Sequence, residues 1–427
     1  MTPTTDANEL GDMDLPSYGI RRILASLVND PALKGATVEL IDLEHSDADA
    51  YVEAIESLQP DLIGMSAYVW STATLIEVAR HIKKRRPSCM IVFGGPSART
   101  AVFDLPCYPD PVECVDAIVS REGEVTFNQI ARLDELTRTG LESIGGLDLP
   151  ANNGWQNTGP RTPITRLDDI PSPYQLDLMR RESVAYLETY RGCPLSCTFC
   201  EWGASDSSTT VFSTEYLLRE FEAYSRHQVP AVFLVDAGLN LNTKGFRNLY
   251  EAESQVGFLK STGLWCEVYP SHVQDEHIQF LSEIGPSYLG IGLQSLDPDV
   301  LKLHQRPFNR ATFESAVKQL SQVAETEVQI IFGLPGDSPE GFRRTLDFAR
   351  SLPVAVRAYH CLVLPDALMT RGQPEWEMQF DPLTLEMQSC RGWSARELTS
   401  MRSRMTEAAL ASGGRAGDYW WFFPRLN

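Results

Sequence analysis

Tyr190-Arg191-Gly192-Cys193-Pro194-Leu195-Ser196-Cys197-Thr198-Phe199-Cys200-Glu201-Trp202-Gly203 places three cysteines within eight residues, in a CxxxCxxC spacing. The chain has nine cysteines, and the other six are scattered along its 427 residues. An odd count with one dense group suits metal ligation in a reducing compartment better than a disulfide framework. Thiolates are soft ligands for iron–sulfur clusters or zinc, and three on one short loop can wrap one face of a cubane. Zinc would want a fourth ligand at ribbon-like spacing, and neither a second CxxC nor a suitable histidine pair follows. A cubane held by three thiolates keeps one iron open to an incoming ligand.

Working outward from this loop, apolar runs alternate with helical patterns. Strands are expected near residues 185–189, 232–235, 264–269, 288–292, 328–332 and 355–362. Six βα-type units in sequence predict an open, partial (β/α) barrel with its chemistry at the C-terminal mouth, and the cysteine loop directly follows the first barrel strand. Upstream, strands expected at 37–41, 62–67, 90–93 and 117–119 are separated by amphipathic stretches, the pattern of a parallel, doubly wound sheet. Loops at the carboxyl ends of such strands bind ligands; here they read Ser66-Ala67-Tyr68-Val69-Trp70, Gly94-Gly95-Pro96-Ser97 and Arg121-Glu122-Gly123-Glu124. Ordinary turn glycines are the alternative reading of these loops. Residues 136–180 carry much Gly, Pro, Asn and Thr and read as a linker. After Pro365 the alternation fades to one helix at 395–411, a glycine pair and the block Tyr419-Trp420-Trp421-Phe422-Phe423, expected to pack against the barrel.

The cysteine loop, the aromatic Phe199 before its last cysteine and its place after the first barrel strand resemble the radical S-adenosylmethionine (SAM) enzymes. The resemblance runs from residue 185 to about 365. It implies that Cys193, Cys197 and Cys200 hold a four-iron four-sulfur cluster whose open iron takes the amino and carboxylate groups of SAM. It also implies SAM contacts from Asp236-Ala237-Gly238 at the second strand, Gln294 and Ser295 in Gly290-Ile291-Gly292-Leu293-Gln294-Ser295, Arg306 toward the carboxylate, and Gly333 in Ile331-Phe332-Gly333-Leu334-Pro335-Gly336 against the adenine. Glu267, in Trp265-Cys266-Glu267-Val268-Tyr269, is the candidate catalytic carboxylate, placed to contact SAM or the open iron.

With that domain assigned, the first is similar to the cobalamin-binding domain of cobalamin-dependent radical SAM enzymes, with Ser66, Tyr68, Trp70, Gly94, Gly95, Pro96, Ser97, Gly123 and Glu124 falling where that family cradles cobalamin. The DxHxxG motif that supplies a cobalt-ligating histidine elsewhere is absent, as in most of this subgroup, and no clear strand precedes residue 15, so the sheet is expected to be one strand short. The expected architecture is α/β: a doubly wound, Rossmann-like cobalamin-binding domain (1–138), a linker (139–180), a partial (β/α)6 radical SAM barrel (181–368) and a short α-rich C-terminal cap (369–427). The resemblance implies C-methylation of an unactivated carbon in a small specialised metabolite, through a 5'-deoxyadenosyl radical and methylcobalamin, with an electron donor such as flavodoxin or ferredoxin. The alternatives are rearrangement or cyclisation of a small substrate or of SAM itself, an RNA methylthiotransferase-like enzyme, and a cobalamin carrier with a degenerate barrel. Cys89, Cys107 and Cys114 lack the spacing of the second cluster that the methylthiotransferase reading needs.

Composition narrows the partners. The chain is 43% hydrophobic and 22% charged, without a run of eighteen apolar residues, so no membrane span is expected. Fifty-seven acidic against thirty-seven basic residues give a net charge of −20, which repels polyphosphate and disfavours a nucleic-acid substrate. The basic run Lys83-Lys84-Arg85-Arg86 reads as a solvated helix end. The polar, acidic start from Met1 to Met13 has neither the basic nor the apolar region of a secretory signal and points to the cytoplasm.

Overall fold

The computed structural model describes residues 16–43, 47–204 and 210–426, so the acidic start falls outside the described residues. The chain divides into two compact units. Residues 1–181 with 382–384 form the first, and 182–381 with 385–427 the second.

In the first unit, strands β1 (Leu62–Ser66), β2 (Met90–Gly94) and β3 (Ala117–Val119) pair in parallel, in that order. Helices α1 (Tyr18–Val28), α2 (Ala48–Leu58), α3 (Thr72–Arg85) and α4 (Glu124–Ala131) provide the apolar faces that cover them. One core gathers Met90 and Val92, Ala117 and Val119, and Phe127 and Ile130 with Leu147 and Leu149. The basic run proves to be the last turn of α3, where cations complement the helix dipole; Lys83 pairs with Asp116 at 2.6 Å and Arg85 with Glu56.

Two expectations for this unit need correction. Residues 37–41 are extended but join no sheet among the described residues. The segment is held by side chains: the Tyr51 hydroxyl accepts from Leu43 N at 3.2 Å, and Asp42 accepts from Ser17 and Arg21. The stretch read as linker, in turn, is partly strand. β4 (Leu147–Ala151) pairs antiparallel with β3, and β5 (Gly154–Asn157) pairs antiparallel with β4 around Asn152-Asn153.

In the second unit, β6 (Ala185–Leu187), β7 (Val232–Leu234), β8 (Leu264–Glu267), β9 (Ser287–Gln294), β10 (Glu325–Phe332) and β11 (Ala355–His360) form a parallel sheet in chain order. These are the six expected barrel strands, and β6 lies at a free edge, so the barrel is open. The cap brings its helix, α5 (Ala395–Ala411), to the predicted residues, started by a capping box between Ser394 and Glu397. It also extends the sheet: β12 (Arg415–Ala416) pairs with β13 (Trp420–Phe423), which runs antiparallel to β11. The aromatic block therefore packs as a strand, burying Trp421 and Phe423 on one face and stacking Trp420 and Phe422 beside the Arg357 guanidinium on the other.

Strand alternation sorts the sheet's faces. Val232, Leu234, Leu264, Cys266, Leu289, Val328 and Phe332 are buried, and Phe332 packs against Phe342 of a covering helix. On the opposite face Tyr186, Phe233, Trp265 and Tyr288 are half-buried and meet edge to face across four strands, with centroids 5.3–6.0 Å apart.

Candidate functional site

The cysteine loop leaves the carboxyl end of β6, at the mouth of the open barrel. Cys193 and Cys197 are buried and Cys200 is half-buried, and all nine cysteines are free thiols. Burial raises the Cys193 thiol above its ordinary pKa, which favours the proton until a metal replaces it. Three thiols with no histidine or carboxylate among residues 193–200 make a soft donor set that suits three corners of an iron–sulfur cubane.

Neighbours distant in sequence hold the loop. Thr198 N donates to the His304 carbonyl at 3.1 Å, and Ser196 Oγ donates to Gln305 Oε1 at 3.0 Å. Arg371 donates to the Cys200 carbonyl and, at 3.4 Å, to that of Ser196. Arg306 lies over the Tyr269 ring, 4.9 Å from its centroid, donates to the Gly292 carbonyl and brings its other terminal nitrogen within 3.9 Å of Cys197 Sγ. A fixed cation thus stands beside the cluster loop. Sequence reading singled out Arg306 but missed Thr198, His304, Gln305 and Arg371, whose partners lie more than a hundred residues away and leave no periodic signal.

Asp236 is buried, and burial pushes its carboxyl up to about 8. Both oxygens are engaged by the backbone entering the loop: Thr189 N donates at 2.9 Å, the Thr189 hydroxyl to the other oxygen, and Tyr190 N at 3.5 Å. Gln294 sits at the β9 bulge with φ +68°, a conformation that turns its side chain across Gly292. Ser295 is fully buried, accepts from Asp297 N at 3.2 Å and lies 3.5 Å from Asp337, so it shapes the strand end. Gly333 turns with φ +83° against Leu398 of α5 and Cys361. Phe199 meets His304 edge-on at 5.9 Å.

Glu267 ends β8 on the half-buried face. Gln329 donates to it at 2.9 Å and, with its second hydrogen, to Glu327 at 3.1 Å, while Glu327 holds the Arg357 guanidinium at 2.9–3.0 Å and accepts from the Tyr288 hydroxyl. The two carboxylates therefore differ: Glu327 has a cation as direct partner, and Glu267 has a neutral amide. Burial, opposed by the Gln329 bond, pushes Glu267 up to about 7. Gly290 makes the crossing possible. A Cβ there would come 2.6 Å from Glu267 Oε2 and 2.5 Å from Gln329 Nε2.

In the first unit the three expected loops follow the carboxyl ends of the parallel strands. Trp70 is 47% exposed and stacks on Tyr68 at 5.0 Å with 12° between planes. A Cβ at Gly94 would meet nothing closer than 4.0 Å, which leaves the backbone open to close approach. Gly95, at φ +94°, packs on the Ala67 backbone, Ser97 is buried and Pro96 exposed. Ser66 bonds the Tyr68 hydroxyl. Gly123 and Glu124 start α4; Glu124 is buried 3.9 Å from Arg22 and its carbonyl accepts from Ser26, so it supports the rim from behind. The loops contain no imidazole. An exposed flat indole beside bare backbone suits a large planar macrocycle, with no protein histidine offered by these loops to its metal.

Fold and site together define a two-unit α/β protein with ligand loops at a parallel sheet edge and a three-thiolate loop at an open barrel mouth. Comparison with known proteins agrees. Residues 12–131 match the B12 binding domain and residues 187–349 the Radical SAM superfamily. The chain carries a B12-binding domain followed by a radical SAM domain, and with them the sites of cobalamin, an iron–sulfur cluster and SAM. It is 29% identical over 339 residues to the cobalamin-dependent radical SAM methyltransferase TokK of Streptomyces tokunonensis, covering 73% of this chain and 48% of that protein. Over 336 residues it is also 29% identical to the 2-(S-pantetheinyl)-carbapenam-3-carboxylate methyltransferase of Streptantibioticus cattleyicolor, covering 72% and 48%. The chain thus spans about half the length of these curated relatives. Its fold resembles the cobalamin-dependent SAM radical enzyme OxsB, with a TM-score of 0.71 at 14% identity over 95% of this chain and 66% of that one. No helix among the described residues is long and apolar enough to cross a membrane.

Proposed function

We propose that this protein is a cobalamin-dependent radical SAM methyltransferase that methylates an unactivated carbon of a small metabolite, drawing electrons from a flavodoxin- or ferredoxin-type donor. The observation that carries the reading is a braced three-thiolate loop at a barrel mouth in a chain that also carries a B12-binding domain. With the cofactors bound, cluster and SAM supply the one-electron chemistry and cobalamin the methyl group. The protein's own part is to bind, orient and exclude water. Cys193, Cys197 and Cys200 ligate three irons, and Arg306 offers its guanidinium to the SAM carboxylate. Asp236 fixes the backbone leading into the loop. Gln294 and the turn at Gly333 shape the walls at the strand ends, and the row Tyr186–Phe233–Trp265–Tyr288 gives the barrel a dry aromatic lining. Glu267 can hold or release a proton near neutrality at its carboxylate, beside Gln329. Ser66, Tyr68, Trp70 and the Gly94–Ser97 turn receive cobalamin. The charge balance also fits a small substrate, since a net charge of −20 offers no general attraction for RNA.

The test is anaerobic purification with cobalamin, followed by the visible spectrum and mass analysis of SAM-derived products. S-adenosylhomocysteine together with 5'-deoxyadenosine supports radical methylation. Methylthioadenosine would replace it with aminopropyl chemistry on SAM, and a preparation with no iron would refute it.

A further inference from the structure

His304 follows the short helix Pro298–Leu303 and is fully buried, yet both ring nitrogens are used. Nε2 lies 2.9 Å from the Pro335 carbonyl, which can only accept, so Nε2 carries the proton and donates. Burial favours the neutral ring. Nδ1 is then bare and accepts from the Thr198 hydroxyl at 2.7 Å. Phe199 and Trp376 clamp the ring, with centroids 5.9 and 5.0 Å away. One imidazole thus spans from inside the cysteine loop to the Gly333–Gly336 turn after β10. The backbone bond from Thr198 to the His304 carbonyl doubles the link at the loop end.

We propose that His304 is a positioning residue whose Nε2–H tautomer couples the cluster loop to the Gly333–Gly336 turn, setting the seat of the cluster and the seat of SAM in one register. The proposal rests on the radical SAM reading of those two segments. It differs from a purely packing role in one respect: the two ends must communicate. A packed ring of the same size would fill the space without linking the segments, whereas this ring has a donor toward one and an acceptor toward the other.

The experiment uses the full chain, reconstituted anaerobically, as wild type, Thr198→Val, His304→Gln, the double variant and His304→Asn. A glutamine amide takes roughly the place of Nε2 and keeps a donor for Pro335 while losing the acceptor for Thr198; asparagine does the reverse. Iron content, the EPR spectrum of the reduced cluster with and without SAM, and SAM affinity are measured. Thr198→Val and His304→Gln should each alter the EPR spectrum and weaken SAM binding by roughly five- to tenfold, the scale of one lost buried hydrogen bond. The double variant should lose no more than either single one, because both remove the same bond. His304→Asn should keep the wild-type spectrum without SAM but bind SAM with similarly reduced affinity. Unchanged spectra and affinity in His304→Gln, or additive losses in the double variant, would overturn the proposal. Should the wild type take up no iron, the radical SAM reading fails on its own account, and the bridge is judged on the apoprotein. There, faster amide exchange over residues 193–200 in Thr198→Val and His304→Gln supports it, and unchanged exchange overturns it.

Discussion

The two units place their ligand loops alike, after the carboxyl ends of parallel strands, but they secure them by different means. In the barrel the loop is cross-braced by side chains: Thr198 to His304, Ser196 to Gln305, Arg371 to two loop carbonyls. In the first unit, apart from the Glu122–Arg161 pair, the rim is held mainly by bonds within and between its own loops, with Ala67 N donating to the Gly94 carbonyl, Ser97 N to that of Ala67 and Arg99 to that of Gly95 four residues away, and its large aromatic, Trp70, is left exposed. Under the proposed function, the contrast follows the ligand's size. A compact metal group needs its few donors fixed to fractions of an ångström, whereas a broad macrocycle is gripped by shape over a wide area.

If that contrast is right, the largest effect should come from the fewest atoms. Cys197→Ala should abolish stable cluster incorporation, taking reconstituted iron from about four per chain to near zero in an iron assay, with cobalamin retention unchanged. Gly290→Ala should come next: the added methyl displaces Glu267 or Gln329 in a packed barrel, costing about 1–3 kcal/mol in urea unfolding of the second unit. Trp70→Ala should weaken cobalamin retention by roughly tenfold, or about 1.4 kcal/mol, while stability moves by less than about 0.5 kcal/mol because the ring is exposed. Equal loss of iron in Trp70→Ala would break the comparison.

The subtlest effect is one of pH. Glu267 is raised from 4.5 to about 7 in the folded chain, so between those values the folded state binds more protons than the unfolded one. Its contribution to stability is present below about pH 4.5 and lost as pH rises through 7. Glu267→Gln should remove this loss. The stability difference between variant and wild type should shift in the variant's favour by about 1 kcal/mol or more from pH 5 to pH 8, read by denaturant unfolding of the apoprotein. A flat difference would mean that Glu267 is not shielded as its surroundings imply.

What could be read from sequence follows the same division. Three thiolates at fixed spacing announce themselves, because few other chemistries want that pattern. The helix at 395–411 was legible to the residue, since Ser394 and Glu397 form a capping box. The β4–β5 hairpin was missed because Pro150 inside a strand argues against one, although Asn153-Gly154 is a hairpin signal. Residues 37–41 were read as a strand because local β character was present, but a strand needs a partner and that is not a local property. The Thr198–His304–Pro335 bridge was invisible for the same reason: 106 residues separate the first pair, and only folding brings them together.

The bonds at Thr198, Ser196 and the Cys200 carbonyl that brace the cysteine loop use no thiol, so loop bracing and cluster ligation draw on different atoms. A cluster stripped by oxygen would therefore leave behind a receptacle that keeps its form. Repair would then require only a fresh delivery of iron and sulfide to a standing mould, with the polypeptide never passing back through an unfolded state.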